Sequence, residues 1–184
     1  ILVGLGKKHD LGLDQIRQAM GHAVKRVRQA KSGAFAVALP SIVPHGASPI
    51  DVGQTMTEGA ILGSYQFTTY RSDAPTGKGV TAMTVLAPQK DHLRQLSEGI
   101  RRGVATAEAT VYVRDLCNHP SNVMTPTRIA SEAKTVAKEV GVNLKILEQK
   151  EMEQLGMGAL LGVAKGSHEP PKFIILQYHG AKNK

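Results

Sequence analysis

The stretch LCNHPSNVMTPTRIASEAKTVAKEVG, Leu116 to Gly141, decides how the chain is divided. Its first eleven residues hold one Cys, one His, two Asn and two Pro, and a regular helix pattern follows. Thr125 followed by Pro126 predicts a helix start. The Thr hydroxyl can accept from free backbone N–H groups, and Pro at the first helical position loses no intrahelical hydrogen bond. Ile129, Ala133, Val136, Ala137 and Val140 then recur on one face, and Gly141 suits a left-handed end. Upstream, Pro120 blocks continuation of any preceding helix, and Asn118 and Asn122 can hydrogen-bond exposed backbone at a turn. Cys117 and His119 invite a chemical reading, because residues two apart in an extended segment point to the same side. Two ligands fall short of the four that a closed zinc site needs, and no third stands nearby in sequence. The stretch therefore reads as a joint between two parts of the chain.

Working outward, a long helical pattern leads into the joint through Leu93, Leu96, Ile100, Val104, Ala107, Val111 and Leu116. Before it, ILVGL (Ile1 to Leu5) reads as a buried strand, and AFAVAL and VTAMTVLA read as two more. An amphipathic helix from Leu13 places Leu13, Ile16, Met20, Ala23, Val24, Val27 and Ala30 on one side and Arg17, Gln18, Lys25, Arg28 and Gln29 on the other. Asp51 to Tyr65 carries Val52, Met56, Ala60 and Ile61 at helical spacing, with Gly53, Gly59 and Gly63 read as close-packing positions. After the joint, VNLKIL reads as a strand and Met152 to Ala164 as short helical pieces. FIILQY (Phe173 to Tyr178) reads as a strand covered on both faces. Alternating strands and helices predict an α/β fold with a largely parallel sheet. The expected division is 1–89, a partial amino-terminal three-layer α/β domain; 90–122, a linker helix and joint; and 123–184, the start of a second layered α/β domain. The opening on Ile1 and the stop after GAKNK suggest a segment of something longer.

Composition narrows the function classes. At 184 residues and 41% hydrophobic, the chain has the balance of a soluble globular protein, and nothing approaches eighteen consecutive apolar residues. The single Cys117 cannot form an internal disulfide and no N-x-[ST] acceptor occurs, which suits a reducing cytoplasmic setting. The net charge of +8 would favour phosphate backbones if it were gathered on one face. The basic residues are scattered instead, and no aromatic residues alternate with them as a single-strand stacking platform requires.

Several short motifs fail on inspection. In VGLGKKHDLG the third glycine of a dinucleotide fingerprint is replaced by His9. TGKG at Thr76 to Gly79 lacks both the upstream glycine and the following Ser or Thr of a phosphate loop. HEPPK at His168 to Lys172 lacks the second His of a metalloprotease helix, and Pro170 and Pro171 would break that helix.

VRDLCNHPSNVMTPTRIA, together with LEQKEMEQLGMGALLGVAKGSHEPPKFIILQYHG, resembles the entry to the catalytic domain of the leucyl aminopeptidase family. The LGMGALLGVAKGS run, the paired prolines and the N-x-P-x-N element before a Thr-Pro helix start carry the likeness. ILVGLGKK, the helix at Leu13 to Lys31 and the VTAMTVL strand are similar to the latter part of that family's amino-terminal α/β domain.

The resemblance implies a parent enzyme that removes N-terminal amino acids, often Leu, from peptides. It implies two divalent ions, Mn or Zn, which bind a bridging hydroxide and polarise the scissile carbonyl, and a cytoplasmic hexamer. It assigns no catalytic, cofactor-binding or metal residue to this chain. The family's first metal-binding Lys lies in a VGKG element beyond the strand matching FIILQY, and the carboxylates follow it; Lys165 in VAKG is upstream and is not its equivalent. The segment is therefore expected to bind no metal specifically and to be inactive alone. The competing expectation is a nucleic-acid-binding or architectural module using the basic helix at 17–31, through Arg17, Lys25, Arg26 and Arg28.

Overall fold

The computed structural model describes residues 1–39, 44–73, 79–87 and 89–180. They form two compact units, Ile1–Asp115 and Leu116–Lys184. Together they make a mixed helix-and-strand α/β protein, as the sequence predicts.

The first unit contains α1 (Leu13–Gln29), β1 (Ala34–Ala38), α2 (Pro49–Ser64), β2 (Ala82–Leu86) and most of α3 (His92–Asn118). β1 and β2 pair in parallel, with Ala34 opposite Ala82 and Ala38 opposite Leu86. Strict alternation turns Phe35, Val37, Met83 and Val85 inward, against a core of Ile16, Met20, Val52, Met56 and Ala60 from α1 and α2. The apolar stripe predicted for α1 is the stripe that the helix buries, through Ile16, Met20, Val24 and Val27, with Ala19 added and Ala30 left exposed.

Ile1 to Leu5 departs from expectation. It is not a strand, and Leu2 stands fully in solvent. The apolar run is nevertheless used: Ile1, Val3 and Leu5 line one wall of a cleft whose other walls are α1 and β1. Extended chain turns alternate residues to one side without requiring ladder hydrogen bonds, so apolar content alone misassigned the element.

α2 starts by the same device as the joint helix. Ser48 Oγ accepts from the Asp51 N–H at 3.3 Å, Asp51 Oδ2 accepts from the Ser48 N–H at 2.8 Å, and Pro49 takes the first helical position. The hydrogen bonds from the Ser48 hydroxyl and amide hold the Asp51 carboxyl below its ordinary range. Packed between α1 and α3, this helix buries Gly53, Thr55, Thr57, Glu58 and Gly59 as well as its apolar residues. The glycines explain how. A Cβ on Gly59 would lie 2.3 Å from the Arg17 carbonyl oxygen of α1, and one on Gly99 of α3 would lie 2.1 Å from the Ile50 carbonyl oxygen of α2. Only hydrogen fits at these crossings. The face that α3 turns to α2 is accordingly Leu96, Gly99, Gly103 and Ala107; Leu93, expected on it, is exposed.

The second unit contains α4 (Pro126–Val140), β3 (Asn143–Leu147), α5 (Gln149–Gln154), α6 (Gly158–Ala164) and β4 (Phe173–Gln177). Thr125 caps α4 by accepting from the Arg128 N–H at 3.3 Å, and Gly141 closes it at φ +70°. Both ends are as predicted. The buried stripe is only partly as predicted: Ala133 and Ala137 are buried and Val136 half-buried, but Ala130 is added and Ile129 and Val140 are exposed. Small side chains let α4 lie close against β3 and β4.

β3 and β4 pair antiparallel, with Asn143 opposite Gln177 and Leu147 opposite Phe173. The parallel pairing expected from strand–helix alternation holds for β1 and β2 and is corrected for β3 and β4. The turn of α6 and the Ser167 to Pro171 loop return the chain in the opposite direction, so a crossover helix is not the only outcome of that alternation. β4 is also not covered on both faces, since Ile175 and Leu176 are exposed. Among the described residues no helix is long and apolar enough to cross a membrane.

Candidate functional site

The joint is a turn, as its composition predicts. α3 ends at Asn118, and the Pro120 carbonyl accepts from the N–H groups of Val123 at 2.9 Å and Met124 at 3.0 Å. Cys117 lies inside the last turn of α3 and is exposed. The premise that Cys117 and His119 share a side of an extended segment therefore fails at Cys117, because successive helical residues turn by about 100°. Among the described residues no group of three or more His, Cys, Asp or Glu could hold a metal ion. The described side chains gather no ligand set for a two-metal centre, so no catalytic step is written through one with them.

The other motifs resolve simply. Gly6 takes a left-handed conformation (φ +83°) and leads into a single 3-10 turn at Lys8–Asp10, so no helix opens directly after Gly4 and Gly6 to receive a phosphate. Most of TGKG falls outside the described residues. Gly156, at φ +69°, separates α5 from α6. HEPPK is the loop before β4, where Lys172 is ion-paired with Glu148 and the Glu169 N–H donates to Ser167 Oγ.

The feature missed from sequence is the buried carboxylate of Glu58, at the centre of α2. Three elements converge on it. Arg17 of α1 donates through Nε at 2.9 Å and pairs through a terminal nitrogen at 2.8 Å; Gln54, one turn upstream, donates at 2.8 Å; Thr106 Oγ1 of α3 donates at 2.8 Å. Burial alone would push the Glu58 carboxyl up, but the hydrogen bonds from Gln54, Thr106 and Arg17 and the guanidinium charge outweigh it and hold the group below its ordinary value. The helix period hides Glu58 among apolar neighbours; the readable hint was a Glu flanked by Gly59 in an otherwise uncharged stretch.

This cluster has a donor for each carboxylate oxygen and ties α1, α2 and α3 together at one point. Arg17 is also tied to Asp14 at 2.9 Å, and Arg28 donates to the Ser64 carbonyl. Two of the four cations expected to form a nucleic-acid surface are thus engaged within the fold, which removes support from the basic-helix reading.

Glu58→Gln is expected to lower stability by about 1–2 kcal/mol near neutral pH, a charge-assisted hydrogen bond discounted for the partial exposure of Arg17. Glu58 has a folded value below the unfolded one. Its contribution is therefore fully present above the unfolded carboxylate value of about 4.3 and disappears as pH falls through the lower folded value. Urea midpoints from pH 7 to 3 should show the wild type and Glu58→Gln converging on the acid side; a constant gap would contradict the assignment.

The model of the cytosol aminopeptidase family's N-terminal domain matches residues 1–74, and that of its catalytic domain matches residues 111–184. The chain belongs to the cytosol aminopeptidase family. A probable cytosol aminopeptidase of Alkaliphilus oremlandii is 41% identical over 99% of the chain. Another, of Aquifex aeolicus, is 41% identical over 96%. The chain spans 36% and 34% of those relatives' lengths, about a third. Among solved structures, the bottromycin maturation enzyme BotP in complex with Mn is similar at a TM-score of 0.81 and 28% identity, over 96% of this chain and 36% of that one. A tomato leucine aminopeptidase variant shares the fold at a TM-score of 0.75 and 24% identity, over 88% and 32%. The N-terminal match ends at residue 74 and the catalytic match begins at 111, within α3.

Proposed function

We propose that this chain is the interdomain part of a metal-dependent aminopeptidase that releases N-terminal residues, often Leu, from peptides. The observation that carries the reading is the order of the two family matches, N-terminal domain over 1–74 before catalytic domain over 111–184. In this reading residues 1–89 are the latter part of the N-terminal domain, 90–122 the linker helix and joint, and 123–184 the beginning of the catalytic domain.

The activity rests on two divalent ions, Mn or Zn, whose ligands lie in the catalytic domain outside this chain. The Mn bound to BotP supports divalent-metal use. Within the chain, α1, α2 and α3 supply a rigid support, and α4, β3 and β4 supply the first layers on which the metal site is built. The assembly is a cytoplasmic hexamer.

The test is hydrolysis of leucine amide by the longer protein carrying this chain, with Mn2+ or Zn2+ added and then chelated, beside the same substrate with its amine acetylated. Cleavage that needs the metal and the free amine supports the reading. Equal cleavage of the acetylated substrate, or none of either with metal present, contradicts it. Sedimentation of the same protein tests the hexamer, with a monomer as the contrary result.

A further inference from the structure

Glu58 is held from two neighbouring helices at once. Arg17 of α1 donates through Nε to Oε2 at 2.9 Å, and Thr106 of α3 donates through Oγ1 to Oε1 at 2.8 Å, beside the 2.8 Å bond from Gln54. Thr106 has other places for that proton. Its Oγ1 also lies 3.1 Å from the Arg102 carbonyl oxygen and 3.2 Å from that of Gly103, both on its own helix. A hydroxyl carries one proton, so the three acceptors compete for it. Thr57, Thr110 and Thr135 show the alternative: each donates to the carbonyl four residues back, of Gly53, Thr106 and Ser131 respectively. The carboxylate draws Thr106 away from that habit because a hydrogen bond to an ionised acceptor is about twice as strong as one to a neutral acceptor.

The charge that Thr106 meets depends on α1. Burial pushes the Glu58 carboxyl up, and Arg17, which is shared with the exposed Asp14, helps to pull it down. From α2 the carboxylate receives the neutral amide of Gln54, and on α3 the cation one turn before Thr106, Arg102, is paired with Glu98 at 2.8 Å. We propose that Thr106 is a two-position switch. While Glu58 is charged the hydroxyl donates across to α2, when the carboxyl takes a proton the hydroxyl turns back to the Arg102 carbonyl, and Arg17 of α1 sets the pH of the change. Because the folded value of Glu58 is below its ordinary one, the bond between helices is present near neutral pH and is lost as pH falls through that folded value. Without Arg17 it is lost at a higher pH.

A carboxyl 13C NMR titration of the chain, with the Glu58 signal identified by its absence in Glu58→Gln, tests the switch. Thr106→Val and Arg17→Met should each raise the Glu58 midpoint, because each removes a donor to the charged form. Thr110→Val, which removes a hydroxyl that donates to its own helix, should leave it unchanged. If Arg17→Met does not fold, Arg17→Lys, which keeps the charge and loses the Nε donor, should give a smaller rise. In urea at pH 7, Thr106→Val should raise the unfolding equilibrium constant about five-fold, the scale of one net hydrogen bond. That penalty should fade on the acid side, and at a higher pH when Arg17 is also replaced. An unshifted midpoint in Thr106→Val, or a penalty that does not vary with pH, would overturn the proposal, since Thr106 would then serve its own helix throughout. Fading at the same pH with and without Arg17 would also overturn it, because α1 would then have no part in setting the switch.

Discussion

Replacing Gly99 by Ala is expected to destabilise the first unit by about 3 kcal/mol, the upper part of the usual cost of overpacking. The new Cβ would lie 2.1 Å from the Ile50 carbonyl oxygen, 2.9 Å from its carbon and 3.0 Å from the Gln54 nitrogen. All three are backbone atoms of α2, so no side chain can rotate aside. α3 would have to withdraw by more than an ångström, and the Thr106 bond to Glu58 would lengthen with it. Helix propensity alone predicts the opposite sign, a gain of about 1 kcal/mol for Gly to Ala. Urea unfolding followed by far-ultraviolet circular dichroism separates the two. A higher midpoint in Gly99→Ala would mean that α2 and α3 do not cross here.

Met56→Ala should cost a similar amount, about 3 kcal/mol within the usual 2–5 for a buried large-to-small change. Met56 is 1% exposed and joins α2 to Ile16 and Met20 of α1 and to the inward residues of β1 and β2. It also forms part of the wall of the apolar cleft of about 300 Å3 between α1, β1 and the Ile1 to Leu5 segment. Truncation opens that cleft into the core, where collapse is opposed by the β1–β2 pair on one side and the glycine crossings on the other. Thermal unfolding should fall by on the order of 10 °C. Met56→Leu, nearly equal in volume, should stay within about 1.5 kcal/mol of the wild type. Equal losses for both substitutions would place Met56 at a site selected for shape, not for filling.

Elements with local signals were readable from sequence. Thr125, Pro126 and Gly141 define α4 because caps act through neighbouring backbone, and Ser48–Pro49–Ile50–Asp51 carried the same signature for α2 although the glycines obscured it. The α1 stripe was legible because the helix has one face on the core and one in water. The failures share a cause: they depend on what lies across the chain. The Ile1 to Leu5 segment has strand composition but no ladder, and the direction of β4 relative to β3 is set by a loop whose residues do not encode it. α4 buries alanines in preference to Ile129 because the sheet approaches closely. Glu58 escaped notice because its three partners, Arg17, Gln54 and Thr106, converge only after α1, α2 and α3 have packed.

Family likeness, not any side-chain constellation, carried the chemical reading, and it assigned no site residue to this chain. Cys117 and His119 are the nearest approach to a reactive pair in the joint sequence, and Cys117 lies in the last turn of α3 instead of the extended segment that reading needs. The proposed function rests on the family likeness, while the described residues of this chain supply helix packing, two capped helix starts and a turn.

The most direct measurement is Mn2+ titration of the 184-residue chain alone, followed calorimetrically and paired with a leucine amide hydrolysis assay on the same sample. The account predicts no saturable binding and no hydrolysis, because the described side chains gather no set of three metal ligands. Stoichiometric Mn2+ binding accompanied by leucine release would contradict it, placing a working metal centre within the residues read here as support.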